Sequence, residues 1–305
     1  MGEHIAVLSN PFAGKGRGRQ ATERAVARLR ERGSEVRVYI GESAQDAQRL
    51  AAQAVNERPR ALVVVGGDGT LAGILDAIAD AAVPVVLVPA GTGNDLARSL
   101  ELPRSDPAAA VDLVFTGIAR EIDLGEVRSG ARVTPFLTVA ALGFDARVSD
   151  RTNRLRWPPG ALRYYLALLI ELIRLRPTDF RITIDDGAPT MARGTLIAVG
   201  NTESYGGGMP MCRGAVPDDG VLDVVTVGVL SRRRLVRVFP VLLQGRHFAL
   251  PEVRTARARR VHIDAPGLIV YADGERIGEE SCTIGLRRRA LTVLVPLFRK
   301  PEADR

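Results

Sequence analysis

A run of β-branched residues in the first quarter of the chain ends in a glycine-rich turn that carries one acid. Residues 61–65 are long enough for a buried strand, and Gly66-Gly67-Asp68-Gly69-Thr70 follow directly. Glycines let backbone N–H groups approach an anion closely, and Thr70 can open a helix whose first N–H groups have no partner inside the helix. The turn predicts a phosphate site, and the carboxylate of Asp68 beside phosphates predicts a cation between them, for which Mg²⁺ is natural. An ordinary glycine-rich turn between a strand and a helix is the alternative.

Two further polar loops with glycines also follow predicted strands. They read Asn10-Pro11-Phe12-Ala13-Gly14-Lys15-Gly16 and Pro89-Ala90-Gly91-Thr92-Gly93-Asn94-Asp95. Because loops at the carboxyl ends of parallel strands share one edge of a sheet, the three loops can converge on one ligand. Thr92 and Asn94 can hydrogen-bond ribose or phosphate, and Asp95 adds a second carboxylate, which again implies magnesium beside a triphosphate. Neither the P-loop nor the dinucleotide fingerprint is present.

Two acidic turns in the second half of the chain are further candidates. They read Asp218-Asp219-Gly220-Val221-Leu222-Asp223 and Tyr271-Ala272-Asp273-Gly274-Glu275. A hairpin turn without any ligand explains either of them equally well. Phosphoryl transfer to a hydroxyl needs a base, however, and none of the three histidines lies in a comparable motif. An acid of the pair Asp273 and Glu275 is therefore the better candidate.

The elements that must position the first three loops alternate in type. Strands are predicted at 4–9, 35–40, 61–65 and 84–88, and helices at about 17–32, 44–56, 70–80 and 93–115, the last broken near Pro103 and Pro107. This order predicts an α/β domain with a mainly parallel sheet over residues 1–123.

After about residue 123 the pattern changes to short alternating segments with glycine turns. Strands are predicted at 120–128, 132–141, 179–185, 191–200, 221–229, 252–263, 266–272 and 291–296, with inserted helices at 160–176 and from the N-cap Ser231. A mostly antiparallel β domain over 124–296 follows, with a tail at 297–305.

Composition limits the class of partner. The net charge of +7 rests on arginine, because lysine occurs only at positions 15 and 300. Nucleotides, lipid headgroups and nucleic acid are all suitable anions, and a generally basic solvated surface is the alternative. Only 5% of the residues are aromatic, which is poor for base stacking, so nucleic acid is not expected. Two cysteines without a disulfide framework, and no signal peptide before the first strand, predict a cytoplasmic protein.

Taken together, seven motifs resemble the bacterial diacylglycerol kinase and lipid kinase family, which is related to sphingosine kinases and shares its G-G-D-G-T loop with NAD kinases. The resemblance covers nearly the whole chain. The motifs are Asn10 to Gly14, Gly66 to Thr70, Gly91 to Asp95, Gly143-Phe144-Asp145, Gly206-Gly207-Gly208-Met209, Asp219 to Asp223, and Asp273 to Glu275.

The resemblance implies a fold like that of NAD kinase and diacylglycerol kinase, an α/β domain followed by an antiparallel β-sandwich domain. It implies that ATP binds in the cleft between them and that a lipid hydroxyl attacks the γ-phosphate, with diacylglycerol the favoured acceptor and phosphatidic acid the product. The nucleotide-binding residues implied are Asn10, Pro11, Phe12, Ala13, Gly14, Gly66, Gly67, Asp68, Gly69, Thr70, Leu71, Ala72, Gly91, Thr92, Gly93, Asn94 and Asp95.

The resemblance also implies roles for the acids. Asp68 and Asp95 would join Glu275 in the water network of a catalytic Mg²⁺. Glu275 or Asp273 would accept the proton of the acceptor hydroxyl, a choice that stays open. By the resemblance alone, a second, structural Mg²⁺ would bind Asp219 with the carbonyl groups of Val216 and Val221.

Several positions depart from the family pattern. Members often carry Asn-Glu where this chain has Ala72 and Gly73, a threonine where it has Gly41, and a proline where it has Arg213. These departures leave a nucleotide-binding pseudokinase open. Other acceptors, namely phosphatidylglycerol, a sphingoid base, NAD or a sugar phosphate, also stay open, as does a nucleotide-binding regulator.

A lipid acceptor requires access to a membrane surface. The predicted helix 160–176 has Trp157, Tyr164 and Tyr165 near its start and basic flanks, which suits a bilayer interface and a peripheral membrane protein. The flanking arginines are Arg151, Arg154, Arg156, Arg163 and Arg174. A helix packed on the β domain is the alternative. The sequence is also compatible with a homodimer through the β domain.

Overall fold

The computed structural model describes residues 2–158 and 161–297, which form two compact units. The first unit contains the residues up to Ile122 and those from Arg289 onward, and the second unit is Asp123–Arg288. The predicted second domain ran to residue 296. In the structure, however, Val293 pairs in parallel with Val85 of the first unit, so the end of the last strand belongs to that unit. Of the predicted tail 297–305, only Leu297 is described.

The first unit is an α/β fold with a parallel sheet, as predicted. Its strands β4, β3, β1 and β2 lie in that order, and β1, β3 and β4 are buried along their whole length because helices cover both faces. The elements are β1 (Ile5–Ser9), α1 (Ala13–Glu31), β2 (Val36–Ile40), α2 (Ala44–Asn56), β3 (Ala61–Gly66), α3 (Asp68–Ala72), α4 (Leu75–Ile78), β4 (Val85–Pro89), α5 (Asp95–Ser99), α6 (Pro107–Val111) and α7 (Leu113–Thr116).

The helices of the first unit are more broken than the predicted ones. The predicted helix 70–80 is divided into α3 and α4, with Gly73 as the C-cap of α3. The predicted helix 93–115 is broken near Pro103 and Pro107, as predicted, with α5 before the break and Asp106 capping α6 after it, and a further break separates α6 from α7. The regular part of α1 begins at Arg17, as predicted, because the three residues before it have positive φ angles of 58°, 64° and 93°.

The second unit is an antiparallel β-sandwich, as predicted, with inserted helices. Strand β9 is central, since it pairs with β7, β8 and β10. The elements are β5 (Ile118–Ser129), which begins in the first unit, β6 (Arg132–Phe136), β7 (Val139–Gly143), α8 (Phe144–Arg154), α9 (Ala161–Ile173), β8 (Thr178–Ile184), β9 (Thr190–Gly200), β10 (Leu222–Gly228), α10 (Arg232–Leu243), β11 (Val253–Ala258), β12 (Arg260–Asp264), β13 (Ile269–Ala272), β14 (Glu275–Glu279) and β15 (Cys282–Val295).

Several elements of the second unit differ from the predictions. The predicted strands 132–141 and 252–263 are each two strands, β14 was not predicted, and β15 begins at Cys282 rather than at 291. Helix α8 was also missed. Its buried face consists of only Phe144, Asp145, Ala146 and Val148, so the helical period of apolar residues is too weak to recognise.

Asp145 is one of the buried acids of the second unit. The Tyr205 hydroxyl donates to Asp145 Oδ2 over 2.6 Å, and Asp145 is only 9% exposed. Burial raises the pKa of Asp145, and the hydrogen bond from Tyr205 partly opposes that rise. The pair therefore links the start of α8 to the glycine loop that begins after Tyr205.

The first prediction concerns Gly125, which lies opposite Phe136 in the β5–β6 pair. A Cβ on Gly125 would lie 2.1 Å from Cζ of the fully buried Phe136 ring. We expect Gly125→Ala to lower the free energy of unfolding by about 1–3 kcal/mol through overpacking, measured by urea denaturation. Gly285→Ala is the control, because a Cβ there makes only an ordinary contact of 3.8 Å. Equal stability of the two variants would contradict this account.

The second prediction concerns the pH dependence that Asp145 contributes. Because the pKa of Asp145 is raised above 3.8 in the folded state, its stabilising contribution is complete below that value and is lost as the pH rises through the folded pKa. The free energy of unfolding of Asp145→Asn, relative to wild type, should therefore increase as the pH rises above 3.8.

Urea denaturation over a series of pH values measures this difference. Asp264→Asn, which removes an exposed carboxyl group from the end of β12, controls for the loss of one charge. A difference between Asp145→Asn and wild type that stays constant with pH would show that the burial of Asp145 has no such effect.

Candidate active site

Three loops meet at the carboxyl ends of the parallel strands in the first unit. The first loop is residues 10–16, the second is 66–70 and the third is 89–95. The Asn10 side-chain amide donates to Thr70 Oγ1 over 3.1 Å, joining the first and second loops. The Arg17 guanidinium donates to the carbonyl oxygens of Gly14 and Gly91 over 3.1 and 2.9 Å, joining the first and third loops. The structure thus brings the predicted loops together.

Close backbone contacts explain the glycines in these loops. A Cβ on Gly67 would lie 2.8 Å from the Cα of Gly91, and a Cβ on Gly14 would lie 1.9 Å from the carbonyl oxygen of Ala90. Gly14 also has a positive φ of 58°. The loops can pack on one another at this distance only without side chains, so the glycines set the shape of the edge.

Asp68 fastens the second loop to the third. Its carboxylate accepts hydrogen bonds from the backbone N–H groups of Asp95 and Leu96, over 2.8 and 3.1 Å, at the start of α5. Burial raises the pKa of Asp68, the two backbone hydrogen bonds oppose the rise, and the neighbouring charge of Asp95 adds to it. Two acids therefore lie together in a poorly solvated place, where a bound cation would stabilise both.

The remaining predicted nucleotide-binding residues differ in accessibility. Exposed residues are Phe12, Gly69 and Thr92; partly buried residues are Asn10, Pro11, Gly14, Gly67, Asp68, Thr70, Ala72, Gly91, Gly93 and Asn94; buried residues are Ala13, Gly66, Leu71 and Asp95. Asn94 has a φ of 54° and exchanges hydrogen bonds with both backbone groups of Gly91. The Leu71 side chain is fully buried, so only its backbone can contact a ligand.

The departure at Gly41 has a steric explanation. A Cβ at this position would lie 2.9 Å from the Cβ of Ala47 in α2. A threonine would therefore need a shift of that helix. Ala72 and Gly73 lie at the end of α3, where Gly73 is exposed, and nothing in the structure explains the loss of polar side chains there.

The acids of the 271–275 turn have different surroundings in the second unit. Asp273 accepts hydrogen bonds from the backbone N–H groups of Leu137 and Thr138 and from the Thr138 hydroxyl, over 2.6, 3.1 and 2.6 Å. The Glu275 side chain is exposed and makes no hydrogen bond or ion pair with any residue that the structure describes. Asp273 therefore holds the 137–138 segment, while Glu275 is available for chemistry.

The turn at 218–223 already has a cationic partner. The Arg257 guanidinium donates to Asp219 Oδ2, the Val221 N–H donates to Asp219 Oδ1 over 3.1 Å, and Arg257 Nε lies 3.8 Å from Asp223. The predicted Mg²⁺ on Asp219 and the carbonyl groups of Val216 and Val221 would share this carboxylate with Arg257. That ion stays a prediction. Within residues 2–158 and 161–297, no group of three or more potential metal-ligating side chains occurs.

Sequence reasoning missed three contributors to these arrangements. Arg17 lies one residue beyond the first loop, and Thr138 lies between strands β6 and β7, outside every motif. Asp145 was visible only as the last residue of the motif Gly143-Phe144-Asp145, which had no assigned role, and Tyr205 lies just before the motif that begins at Gly206. An acid at the first turn of a helix, directly after a buried strand, was the available signal for Asp145.

Comparisons with known proteins agree with this architecture. Residues 4–127 match the family described as diacylglycerol kinase catalytic domain, and residues 138–295 match the YegS C-terminal NAD kinase beta sandwich-like domain. A protein of Mycobacterium tuberculosis named diacylglycerol kinase is 44% identical over 293 residues, which cover 96% of this chain and 95% of that protein.

Solved structures show the same fold. A diacylglycerol kinase from Bacillus anthracis matches with a TM-score of 0.74 and 20% identity, over 96% of this chain and 97% of the other. An NAD kinase from Archaeoglobus fulgidus in complex with ATP matches with a TM-score of 0.53 and 16% identity, over 95% and 93% of the two chains. Because the family models span most of the chain and the Mycobacterium protein is so similar, this chain belongs to the diacylglycerol kinase family of lipid kinases, and it is a kinase.

Proposed function

We propose that this kinase transfers the γ-phosphate of ATP to the hydroxyl of a membrane lipid, with diacylglycerol as the acceptor and phosphatidic acid as the product. The observation that carries the proposal is the set of three interlocked glycine loops at one edge of the first unit. The diacylglycerol assignment is supported by the name of the Mycobacterium relative.

The first unit would bind the nucleotide. Gly67 and Gly14 place no side chain over the backbone of the loops, so loop N–H groups can face phosphate oxygens. The exposed Thr92 and partly buried Asn10 offer further hydrogen bonds. Arg17 and Asp68 hold the loops in place before a nucleotide arrives, which reduces the cost of ordering them on binding.

Asp68 and Asp95 fit a role beside magnesium. The Asp68 carboxylate accepts from the backbone N–H of Asp95, and burial and the charge of Asp95 both raise the pKa of Asp68, so the pair gains from a nearby divalent cation. Mg²⁺ bound with the triphosphate would neutralise phosphate charge, and these two acids would help to hold it.

The second unit would supply the base. Glu275 accepts the proton as the acceptor hydroxyl oxygen forms its bond to the γ-phosphorus, the bond from that phosphorus to the bridging oxygen breaks, and ADP leaves. Asp273 is unsuited to this task, because three hydrogen bonds already engage its carboxylate. Its role is to fix the turn from which Glu275 projects.

Helix α9 supports association with a membrane surface. One face packs in the core of the second unit through Ala167 and Leu168, so the packing alternative is correct for that face. The opposite face exposes an apolar stripe of Leu162, Tyr165, Leu169 and Ile173, each more than half exposed.

No helix in the described part of the chain is long and apolar enough to cross a bilayer. A stripe of this kind can lie in a bilayer surface. A cytoplasmic location and a homodimer stay predictions.

The third prediction tests the base. Glu275→Gln should lower kcat for transfer of labelled phosphate from ATP to diacylglycerol in mixed micelles by about 10²- to 10⁴-fold, with an unchanged thermal unfolding midpoint. Asp273→Asn should instead lower the free energy of unfolding by about 1–3 kcal/mol, because an amide cannot accept all three hydrogen bonds. Glu279→Gln, an exposed acid at the other end of β14, is the matched control.

The same assay discriminates the alternatives by offering phosphatidylglycerol, a sphingoid base and NAD beside diacylglycerol. Full activity of Glu275→Gln would remove Glu275 as the base. Label on NAD alone would overturn the lipid assignment, and ATP binding without any transfer would identify a pseudokinase.

The fourth prediction tests the apolar stripe. Leu162→Ser combined with Leu169→Ser should weaken binding to phospholipid vesicles by at least about tenfold, since each buried leucine contributes about 1.5–3 kcal/mol. Vesicle co-sedimentation measures the change. Val236→Ser removes an exposed apolar residue of α10 and serves as the control. If the double variant bound vesicles as tightly as this control, α9 would not be the membrane-facing element.

A further inference from the structure

An open cavity of about 710 Å³ lies between helices α8 and α9 and the start of α10 in the second unit. Six arginines and only two carboxylates, Asp150 and Glu171, line it, so its walls carry four positive charges in excess. The arginines are Arg147, Arg151, Arg154, Arg174, Arg176 and Arg232. Such a concentration of like charge is unfavourable unless an anion compensates it.

Both carboxylates are already engaged. Glu171 is 5% exposed, forms an ion pair with Arg151, and has Arg147 Nε at 3.9 Å. Asp150 pairs with Arg154 over 2.9 Å and accepts a hydrogen bond from the Tyr271 hydroxyl over 3.2 Å. Neither acid can compensate the remaining arginines, which therefore determine what the cavity attracts.

The remaining three arginines lie around the end of α9. Arg232 donates to the carbonyl oxygens of Leu172 and Ile173, which fixes its position at the helix end. The exposed side chains of Arg174 and Arg176 make no hydrogen bond or ion pair with any described residue. Their guanidinium groups are available to a ligand, and their planar donor pairs match the oxygens of a phosphate group.

The surroundings indicate that this phosphate belongs to an amphiphile. Ile173 lines the cavity, is 61% exposed, and is the last residue of the apolar stripe on α9. A phosphate group in the cavity would thus have acyl chains beside the stripe. We propose that the cavity binds the phosphate group of an anionic phospholipid in the membrane, a molecule other than the lipid that is phosphorylated.

This inference rests on the proposed membrane association of α9 but not on the kinase reaction. A bound phospholipid at the end of α9 would fix the depth and orientation of the helix in the bilayer surface. It would also make membrane binding depend on anionic lipid, whereas the apolar stripe alone would bind uncharged bilayers as well.

The test is the double substitution Arg174→Lys and Arg176→Lys, which keeps both charges but removes the paired donors. Co-sedimentation with phosphatidylcholine vesicles, with and without phosphatidylglycerol, measures binding. We expect the double variant to lose at least about tenfold in affinity for the phosphatidylglycerol vesicles, because lysine cannot form the two-pronged contact. Arg254→Lys combined with Arg259→Lys, at exposed positions in and just after β11, should bind like wild type.

Two outcomes would overturn the proposal. Unchanged binding by the Arg174→Lys and Arg176→Lys variant would mean that diffuse charge, not a built cavity, attracts the membrane. Displacement from phosphatidylglycerol vesicles by inorganic phosphate or glycerol phosphate at low concentration would mean that the ligand is a free phosphate. Phosphate transfer in uncharged micelles, measured on the same variants, should be unchanged, so a failure of the kinase assignment would be seen separately.

Discussion

The three-loop edge of the first unit depends on the hydrogen bonds from the start of α5 to the Asp68 carboxylate. Parallel strands bring three loops to one edge of the sheet. Because these loops are rich in glycine, few side-chain contacts are available to order them. Asp68 supplies that order, because one side chain accepts two backbone N–H groups of the neighbouring loop. Arg17 also orders the loops, because its guanidinium donates to the carbonyl oxygens of Gly14 and Gly91. Asp68 and Arg17 thus hold the geometry of the loops, and the glycines between them need no side chains for this purpose.

The 271–275 turn shows how neighbours give two similar acids different roles. Asp273 has a positive φ of 51° and a carboxylate surrounded by three donors, so its charge is stabilised and its lone pairs are engaged. Glu275, two residues later, is exposed at the start of β14. In the proposed mechanism Glu275 is the reactive group, and the fixed Asp273 is part of its support. The surroundings of the two acids, rather than their residue types, therefore distinguish Asp273 from Glu275.

Much of this arrangement was predictable from the sequence, and the rest depended on long-range contacts. The four strands of the first unit and the three loops after them follow from apolar runs and glycine turns, so both could be read directly. The choice between Asp273 and Glu275 could not, because it depends on Leu137 and Thr138, more than 130 residues away. Helix α8 was missed because it buries too few apolar residues to show a helical period in the sequence. The Arg257 contact to the acidic turn also had no local signal, because Arg257 lies 38 residues after Asp219.

The distribution of arginine distinguishes a specific surface from a generally basic one. The full chain has a net charge of +7, and a uniform scatter of arginines would leave only weak fields at any one place. Instead, the cavity beside α9 alone carries an excess of four charges. Its two acids are used to hold Arg147, Arg151 and Arg154, so they order part of the wall without neutralising the arginines at the end of α9. Because an apolar stripe ends at the same place, charge and hydrophobic surface together favour one kind of ligand, an anion attached to acyl chains.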